Sequence, residues 1–326
     1  MDIRSMRYFV AIVDHGSLTR AAEAVCVAQP ALSQQLAALE AEYGVPLVHR
    51  GPKGVKPTEA GKTLYRHART ILKQVESAGA DVRAAGAEVS GAVAIGLPTT
   101  AAAAFGMPLI RAVRARYPQV RLQLFESMSG YISELLNNNR LDFAILFRDT
   151  ASRAVEPEML ASESLYLIGN PPDAPDAPDA PDAAGRRRAR RDTIALRQLA
   201  GVPLVLPSGS QGLREVLERG FAQAGAALNV VADLDSLPFL LGAAREGLAC
   251  TILPASAVDP SDTAMPTRLI LPELRRTLSL CWPRALPRTR AAEAVAEILR
   301  EIVDARIAQG GSLKPAPGAT QPGAAE

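Results

Sequence analysis

The sequence predicts an α/β protein with an all-α winged helix-turn-helix domain at its N-terminus, a linker helix and a body of two α/β subdomains. Two short helices separated by a tight break are encoded before residue 45. A heptad-spaced helix follows, and from Gly91 short apolar strands alternate with amphipathic helices, which favours mainly parallel sheets covered by helices. With 326 residues, of which 48% are hydrophobic, the chain can bury two or three separate cores.

The two short helices are predicted from their apolar spacing and from the break between them. Apolar residues recur at helical intervals from Leu18 to Val25, and a tight break follows at residues 26–28. A second helix is predicted to start at Gln29. Pro30 then lies in the first turn, where a helix tolerates a residue without an N–H. A helix that precedes these two in the sequence and has one apolar face would complete a three-helix core.

The second of these helices has one apolar and one polar face. Leu32, Leu36 and Leu39 lie at i, i+4 and i+7 and form a stripe that we expect to be buried. Polar side chains are left on the outward side of the first two turns, where they suit hydrogen bonding to base edges and phosphates. The candidate DNA-binding residues of the two helices are Ser17, Thr19, Gln29, Pro30, Ser33 and Gln34.

A basic wing follows the helix-turn-helix and completes a domain predicted over residues 1–58. Residues 51–57 are punctuated by glycine and proline, as a hairpin-like loop requires. Arg50 and Lys53 are the candidate contacts to phosphates or to the adjoining minor groove. From Arg50 to Lys73 the chain has seven basic residues and one acidic residue, a charge distribution that attracts a phosphate backbone. A solvated helix face is the alternative interpretation of these charges.

A linker helix is predicted over residues 59–88, with the Thr58 hydroxyl as its N-terminal cap. Its apolar residues follow a heptad pattern at Leu64, Ala68, Ile71, Val75, Ala78 and Val82. We expect a partner helix from a second copy of the chain to cover this seam, because one winged-helix domain is too small to bury it. The alternative is that the seam packs on the body of the same chain.

The body is predicted to span residues 91–308 and to form a hinged clamp. Residues 91–163 and 269–308 make the first subdomain, and residues 164–268 make the second. The tail, residues 309–326, is rich in Gly, Pro and Ala and is predicted to be disordered.

Small polar residues follow several predicted strands of the body. In open parallel sheets, ligands bind beyond the carboxyl ends of the strands, where loops and helix N-termini converge. Hydroxyl groups and free N–H groups at such ends favour a small polar or anionic ligand, although each residue could also simply cap its own helix. The candidate effector-binding residues are Thr99, Thr100, Ser127, Ser129, Ser208, Ser210, Asp235 and Ser236.

A low-complexity segment interrupts the second subdomain. Residues 173–184 repeat Asp-Ala-Pro, and five arginines follow within residues 186–191. A solvated loop insertion with polyproline character is the favoured interpretation, and an auxiliary phosphate contact by the arginines is the alternative.

Composition argues against catalysis, cofactors and membranes. The three histidines, His15, His49 and His67, all precede the body, which removes Ser-His-Asp and Cys-His arrangements and His-ligated metal from it. The three cysteines are far apart, no glycine-rich phosphate-binding motif is present, and no apolar run could span a bilayer. We therefore expect a cytoplasmic non-enzyme without metal or cofactor.

The motif residues of the N-terminal part together resemble the LysR-type transcriptional regulators. The matching residues are Phe9, Ser17, Thr19, Ala21, Ala22, Gln29, Pro30, Ala31, Ser33, Leu39, Glu40, Gly44, Leu47, Arg50, Thr58, Ala60 and Gly61. The rest of the chain, to about residue 305, is similar to the effector-binding domain of that family in order and length. Leu97-Pro98-Thr99 and Arg140-Leu141-Asp142 resemble its nitrogen-assimilation-control branch.

This resemblance implies a regulator that binds double-stranded promoter DNA and senses a small effector. It implies a periplasmic-binding-protein-like body of two subdomains, assembly as a dimer or a homotetramer, contact with RNA polymerase, and a place on the nucleoid. A solute-binding protein of a transport system is the alternative, because the two-lobed clamp would serve it equally well. The DNA-binding motif and the absence of a secretory apolar stretch at the start count against that alternative.

Overall fold

The structure is a computed structural model that describes residues 1–52, 54–83, 88–148, 150–171, 193–209, 212–258 and 265–316. The elements of the N-terminal part are α1 (Ile3–His15), α2 (Leu18–Ala24), α3 (Gln29–Tyr43), β1 (Val48–Gly51), β2 (Gly54–Pro57) and α4 (Glu59–Arg83). Those of the first half of the body are β3 (Gly91–Pro98), α5 (Thr99–Ala101), a π-helical segment (Ala102–Gly106), α6 (Met107–Arg116), β4 (Val120–Ser127), α7 (Ser129–Asn137), β5 (Phe143–Leu146) and β6 (Val155–Ile168). The remaining elements are β7 (Thr193–Ala195), β8 (Leu204–Leu206), α8 (Gly212–Ala224), β9 (Val230–Asp233), α9 (Leu237–Arg245), β10 (Thr251–Pro254), β11 (Thr267–Leu271), β12 (Arg275–Pro283), α10 (Arg290–Ala308) and β13 (Leu313–Pro315).

Helices α1, α2 and α3 converge on one small apolar core. Phe9 of α1 and Ala21 of α2 are almost fully buried, as are Leu32, Leu36 and Leu39 of α3. The stripe of leucines therefore faces inward, and the helix-turn-helix predicted from the spacing is confirmed. Burial of three leucines in so small a domain contributes about 1.5–3 kcal/mol each relative to exposure.

The wing packs tightly against the turn between α1 and α2. Strands β1 and β2 are antiparallel, and the Val55 N–H donates to the Gly16 carbonyl at 2.8 Å. Gly54 has a φ of +104°, and a Cβ there would lie 2.3 Å from the Gly16 oxygen. A Cβ on Gly61 would lie 1.9 Å from the Leu47 oxygen. The wing and the start of α4 therefore require glycine at both positions.

The apolar seam of the linker helix α4 is packed against the winged helix in its first half and exposed in its second half. Leu64, Ala68 and Ile71 pack against the core of the winged helix, and Ala68 is fully buried. Val75 and Val82 are 43% and 78% exposed. The expectation of one continuous intermolecular seam is therefore wrong for its N-terminal half, because the first three turns of α4 lie directly on α1 and the wing.

In the ranges that the structure describes, two sheets and their helices make up the body. The larger sheet has the strand order β4-β3-β5-β12-β6-β11-β7, with β10 and β13 also paired to β6, and β8 pairs with β9 in a small second sheet. The pairs β3–β4, β3–β5, β7–β11 and β8–β9 are parallel. The pairs that involve β6 and β12 are antiparallel, so the sheet is mixed and not mainly parallel as expected. The physical reason is that β6 and β12 carry the chain between the lobes in opposite directions.

The boundary between the subdomains differs slightly from the prediction. Residues 269–271, assigned to the first subdomain from the sequence, belong to β11, which pairs with β6 and β7 inside the second subdomain. The second crossing between the lobes therefore lies at residues 272–274, between β11 and β12.

The chain beyond α10 forms structure that the sequence did not suggest. Strand β13 pairs antiparallel with residues 161–163 of β6, and Leu313 and Ala316 are buried. The prediction of disorder from residue 309 is therefore wrong as far as residue 316, because two apolar side chains and a strand ladder hold this segment. The final ten residues, the Asp-Ala-Pro and arginine insertion, and residues 84–87 at the end of the predicted linker lie outside the described residues.

Candidate functional site

The outward face of α3 is open to solvent at its N-terminal end. Gln29, Pro30 and Gln34 are exposed, and Ser33 is partly exposed. No side chain caps the helix at Ala28, so the N–H groups of the first turn have no side-chain partner there. Free N–H groups and amide side chains at a helix N-terminus are suited to phosphates and base edges.

The remaining predicted DNA contacts flank this face or lie outside the described residues. Ser17 is the N-cap of α2, where its hydroxyl accepts from the Arg20 N–H at 3.5 Å, and Thr19 is exposed two residues later. Arg50 is exposed on β1 of the wing. Lys53 lies outside the described residues.

The basic run from Arg50 to Lys73 is partly neutralised by carboxylates. The ion pairs are Lys62–Glu59 at 2.6 Å, Arg69–Asp14 at 3.8 Å and Lys73–Asp142 at 3.0 Å. Three of the six basic residues described in this run therefore have carboxylate partners. Arg50, Lys56 and Arg66 have no carboxylate partner within the described ranges, and they supply the positive charge available to a phosphate backbone.

The two lobes of the body enclose a narrow apolar cavity of about 40 Å³. Thr99, Thr100 and Ser129, three of the predicted effector residues, line it from the first lobe together with Phe147. The opposite wall is apolar and belongs to the second lobe, where Pro207, Leu213, Leu237, Leu240 and Leu253 contribute.

The other described candidates from the sequence lie outside the cavities of this cleft. Asp235 accepts hydrogen bonds from the N–H and the hydroxyl of Ser208 at 2.9 and 2.7 Å, so these two residues tie the loops after β8 and β9 together. Ser127 ends β4, and Ser236 stands at the N-cap of α9 without a side-chain capping bond. Ser210 lies outside the described residues. The alternative role of these residues in local loop structure thus accounts for Ser208 and Asp235.

A buried ion pair that sequence reasoning missed forms the floor of the cleft. The Arg276 guanidinium on β12 donates to Glu163 on β6 at 2.8 and 3.1 Å, and both side chains are only 4% exposed. Arg276 also donates to the Thr100 hydroxyl at 2.8 Å and lies 3.5 Å from the centre of the Phe147 ring. Burial lowers the pKa of Arg276, and the Glu163 carboxylate opposes that effect.

This floor joins the two lobes through the crossing strands. Glu163 accepts a hydrogen bond from Ser256 of the second lobe at 2.7 Å, whereas Arg276 binds Thr100 of the first lobe. A chain of hydrogen bonds therefore runs from one lobe to the other across β6 and β12. The available sequence signal was the presence of Glu163 and Arg276 in strands that are otherwise largely apolar around them, since charges are rarely buried unless paired.

A second, larger cavity of about 580 Å³ opens beside the floor and shares Ser129, Phe147 and Arg276 with the first. Its walls are polar and include Arg148, which follows β5. The backbone of Arg148 is fixed because its carbonyl accepts from the Ser279 hydroxyl at 2.6 Å. The cleft as a whole therefore offers a small apolar part and a larger polar part to a small molecule.

The linker helix is attached to the first lobe at a short segment before β5. Asp142 is buried, and its carboxylate accepts from Lys73 Nζ at 3.1 Å and from the Ala94 N–H at 2.8 Å. Asn139, which has a left-handed φ of +56°, donates to the Thr70 hydroxyl at 2.9 Å. These contacts join α4 to strand β3 and to the segment that precedes β5.

Metal and membrane sites are not apparent in the part of the chain that the structure describes. No group of three or more His, Cys, Asp or Glu side chains there could hold a metal ion. None of the helices in the described ranges combines the length and the apolarity that a membrane span requires.

Comparisons with known proteins give one consistent result. The family described as "LysR substrate binding domain" matches residues 86–304, and that described as "Bacterial regulatory helix-turn-helix protein, lysR family" matches residues 3–62. The chain is 35% identical to the nitrogen assimilation regulatory protein Nac of Escherichia coli (strain K12) over 311 residues, which are 94% of this chain and 97% of that protein.

Solved structures resemble the chain over nearly its whole length. A full-length OxyR variant from Pseudomonas aeruginosa superposes with a TM-score of 0.72 at 24% identity and covers 92% of this chain and 95% of its own. Full-length CbnR complexed with its target DNA superposes with a TM-score of 0.61 at 23% identity, over 93% of this chain and 100% of its own.

Proposed function

The chain belongs to the LysR family of DNA-binding transcriptional regulators, and from this premise we propose that α3 reads an operator while the interlobe cleft binds a small polar or anionic effector. Gln29, Ser33 and Gln34 would contact base edges in the major groove, and Pro30 would contribute shape and apolar contact. Ser17 and Thr19 would contact the backbone beside α2, and Arg50 and Lys53 would hold phosphates or the minor groove.

The observation that carries this proposal is the exposed and uncapped start of α3, in a domain whose wing carries an arginine with no carboxylate partner among the described residues. Gln29 and Gln34 are exposed there, and no side chain occupies the N–H groups of the first turn. Arg50 on the neighbouring wing is exposed and has no carboxylate partner among the described residues. A helix N-terminus suits the groove of a duplex, and an exposed guanidinium on the wing suits the flanking phosphates.

The alternative of a transport solute-binding protein is set aside. The helix-turn-helix family matches the chain as well as the substrate-binding family, and relatives over nearly the full length are regulators. We propose no catalytic role, and the regulator would act on the nucleoid in the cytoplasm, where it would contact RNA polymerase.

Self-association would use the exposed half of α4. Val75 and Val82 present apolar surface that the chain's own winged helix does not cover. A second α4 packed on this surface would bury it and pair two DNA-binding domains. A dimer of such dimers would give the tetramer that the family resemblance implies.

The effector would alter DNA binding through β5. This strand begins next to Asp142, which holds Lys73 of α4, and it ends next to Phe147 in the cleft. A ligand that favours one arrangement of the lobes would thereby favour one placement of α4 and its DNA-binding domain, provided that it binds the two arrangements with different affinity.

The test is the salt dependence of operator binding by Arg50→Gln. If Arg50 neutralises a phosphate, the slope of log K against log salt should fall by about 1, for cognate and unrelated sequences alike. The control is Arg111→Gln, which removes an equally exposed charge from α6 of the body. An unchanged slope for Arg50→Gln, or an equal change for the control, would exclude Arg50 as a backbone contact.

A further inference from the structure

We propose that the larger cavity of the cleft binds a small 2-oxo or 2-hydroxy monocarboxylate through the Arg148 guanidinium and discriminates against the corresponding amino acid. This inference rests on the proposed effector cleft and specifies the ligand class that the cleft selects. It follows from the charges that the described cavity walls leave unpaired.

The cavity of about 580 Å³ is large enough for a small metabolite and lies between both lobes and the hinge. Arg148 and Ser133 line it from the first lobe, Arg219 and Gln223 from the second, and Thr277 from the crossing strand β12. A ligand that contacts all three parts would stabilise one arrangement of the lobes, which is what an effector must do.

Among the described lining residues of this cavity are four guanidinium groups, and three of them already have carboxylate partners. The pairs are Arg219–Glu215 at 2.7 Å, Arg275–Glu273 at 2.8 Å and Arg276–Glu163 at 2.8 Å. Arg148 differs, since its Nε donates only to the Thr150 carbonyl at 3.1 Å and no described carboxylate binds its side chain. Arg148 is therefore the unbalanced positive charge of the described cavity wall.

The position of Arg148 suits a carboxylate. Its backbone is held by Ser279, and the bond from Nε to Thr150 orients the guanidinium while leaving both terminal amino groups for a ligand. Two parallel N–H donors match the two oxygens of a carboxylate. Partial burial in a cleft also strengthens this attraction relative to bulk water.

Among the described lining residues, no carboxylate is without an arginine partner and so left for an ammonium group. The carboxylates among the described lining residues are Glu215 and Glu273, and each already pairs with an arginine. An ammonium ion would lose hydration without gaining an unpaired carboxylate, which is costly in a cleft. A keto or hydroxyl group at the same carbon could instead bond to the hydroxyls of Ser133 and Thr277. The cavity should thus distinguish ligands that differ only at C2.

The experiment measures binding of two matched series to the full chain by calorimetry at constant ionic strength. The probes are 2-oxoisovalerate, 2-hydroxyisovalerate and valine, and phenylpyruvate, phenyllactate and phenylalanine. At least one oxo or hydroxy acid should bind at millimolar concentration and at least tenfold more tightly than its amino acid. Because a hydrogen bond to a charged group contributes about 1.5–3 kcal/mol, Arg148→Gln should weaken that binding by about 10- to 100-fold.

The matched control is Arg219→Gln, which removes a cation from the same cavity that is already paired. Arg219→Gln should change the affinity for the acid much less than Arg148→Gln does. Arg148→Lys should keep only part of the wild-type affinity, because lysine keeps the positive charge but lacks the two parallel N–H donors of the guanidinium. Melting curves without ligand establish that each variant folds. Equal binding by Arg148→Gln, equal binding of the amino acid, or no binding of any oxo or hydroxy acid by the wild type would overturn the proposal. Operator binding by the same wild-type samples is read separately, and only its failure would contradict the proposed regulatory function.

Discussion

Neutralising Glu163 should destabilise the body far more than neutralising a carboxylate at the surface. In Glu163→Gln, the Arg276 guanidinium keeps its charge but loses its counter-ion in a place where both side chains are only 4% exposed. Breaking a buried ion pair on one side costs about 3–5 kcal/mol, because an uncompensated charge is left behind. For a domain of this size, each kcal/mol lowers Tm by about 2–4 °C, so the loss should be about 6–20 °C.

The matched control is Glu158→Gln on the same strand. Glu158 binds Arg300 at 2.6 and 2.9 Å, but these side chains are 39% and 23% exposed, and solvent screens the pair. Its removal should cost about 1 kcal/mol or less. A double variant, Glu163→Leu with Arg276→Met, should recover much of the stability lost by Glu163→Gln, because no buried charge remains unpaired.

The assay is thermal unfolding of the full chain followed by circular dichroism, with urea unfolding as a second measure. A Glu163→Gln variant that melted within the range of Glu158→Gln, or a double variant less stable than the single one, would contradict these expectations. Either result would mean that the floor of the cleft is hydrated and that its ion pair does not join the lobes.

Two further predictions concern α4 and the cysteines. Val75→Glu with Val82→Glu should dissociate the oligomer in sedimentation experiments, because both side chains are exposed apolar parts of the seam. Gln74→Glu, outside the seam, should leave the oligomer intact. An intact oligomer in the double variant would exclude this surface as the contact. In the native state a thiol reagent should modify only Cys26, because burial raises the pKa of Cys250 to about 11 and that of Cys281 to about 12. Modification of all three cysteines before unfolding would contradict the described burial.

Local features of the fold could be predicted from the sequence because their signals are local. The helix-turn-helix follows from apolar spacing within a few turns, and Pro30 and the leucines of α3 lie where that spacing puts them. The left-handed conformation of Asn139 could also be predicted, since asparagine tolerates positive φ more readily than most residues.

Contacts between distant segments could not be predicted in this way. Arg276 and Glu163 are 113 residues apart, and Lys73 and Asp142 are 69 apart, so no periodicity links them. A buried charge in a strand signals that a partner exists, but only the sheet topology identifies it. The apolar seam of α4 shows the same limit, since the heptad pattern is identical whether its partner is the chain's own winged helix or a second copy.

The effector-binding residues could be predicted from the sequence only in part. The general rule for parallel sheets identified Thr99, Thr100 and Ser129, which line the cleft. It also selected Ser208 and Asp235, which bond to each other, because residues that cap loops and residues that bind ligands have the same composition. The rule did not select Arg276, because this residue lies inside a crossing strand and not in a loop after a strand end.

The most direct test of the account is the base preference of the wild type and of Gln29→Ala and Ser33→Ala, measured by selection from a random operator library. If α3 reads bases, each variant should lose preference at a small number of positions within each half-site, with a loss of about 1–3 kcal/mol per contact. Gln119→Ala, an exposed residue of the body, is the control and should leave the selected sequence unchanged. Selected sequences that are identical for the wild type and both α3 variants would contradict the central claim that this helix reads DNA.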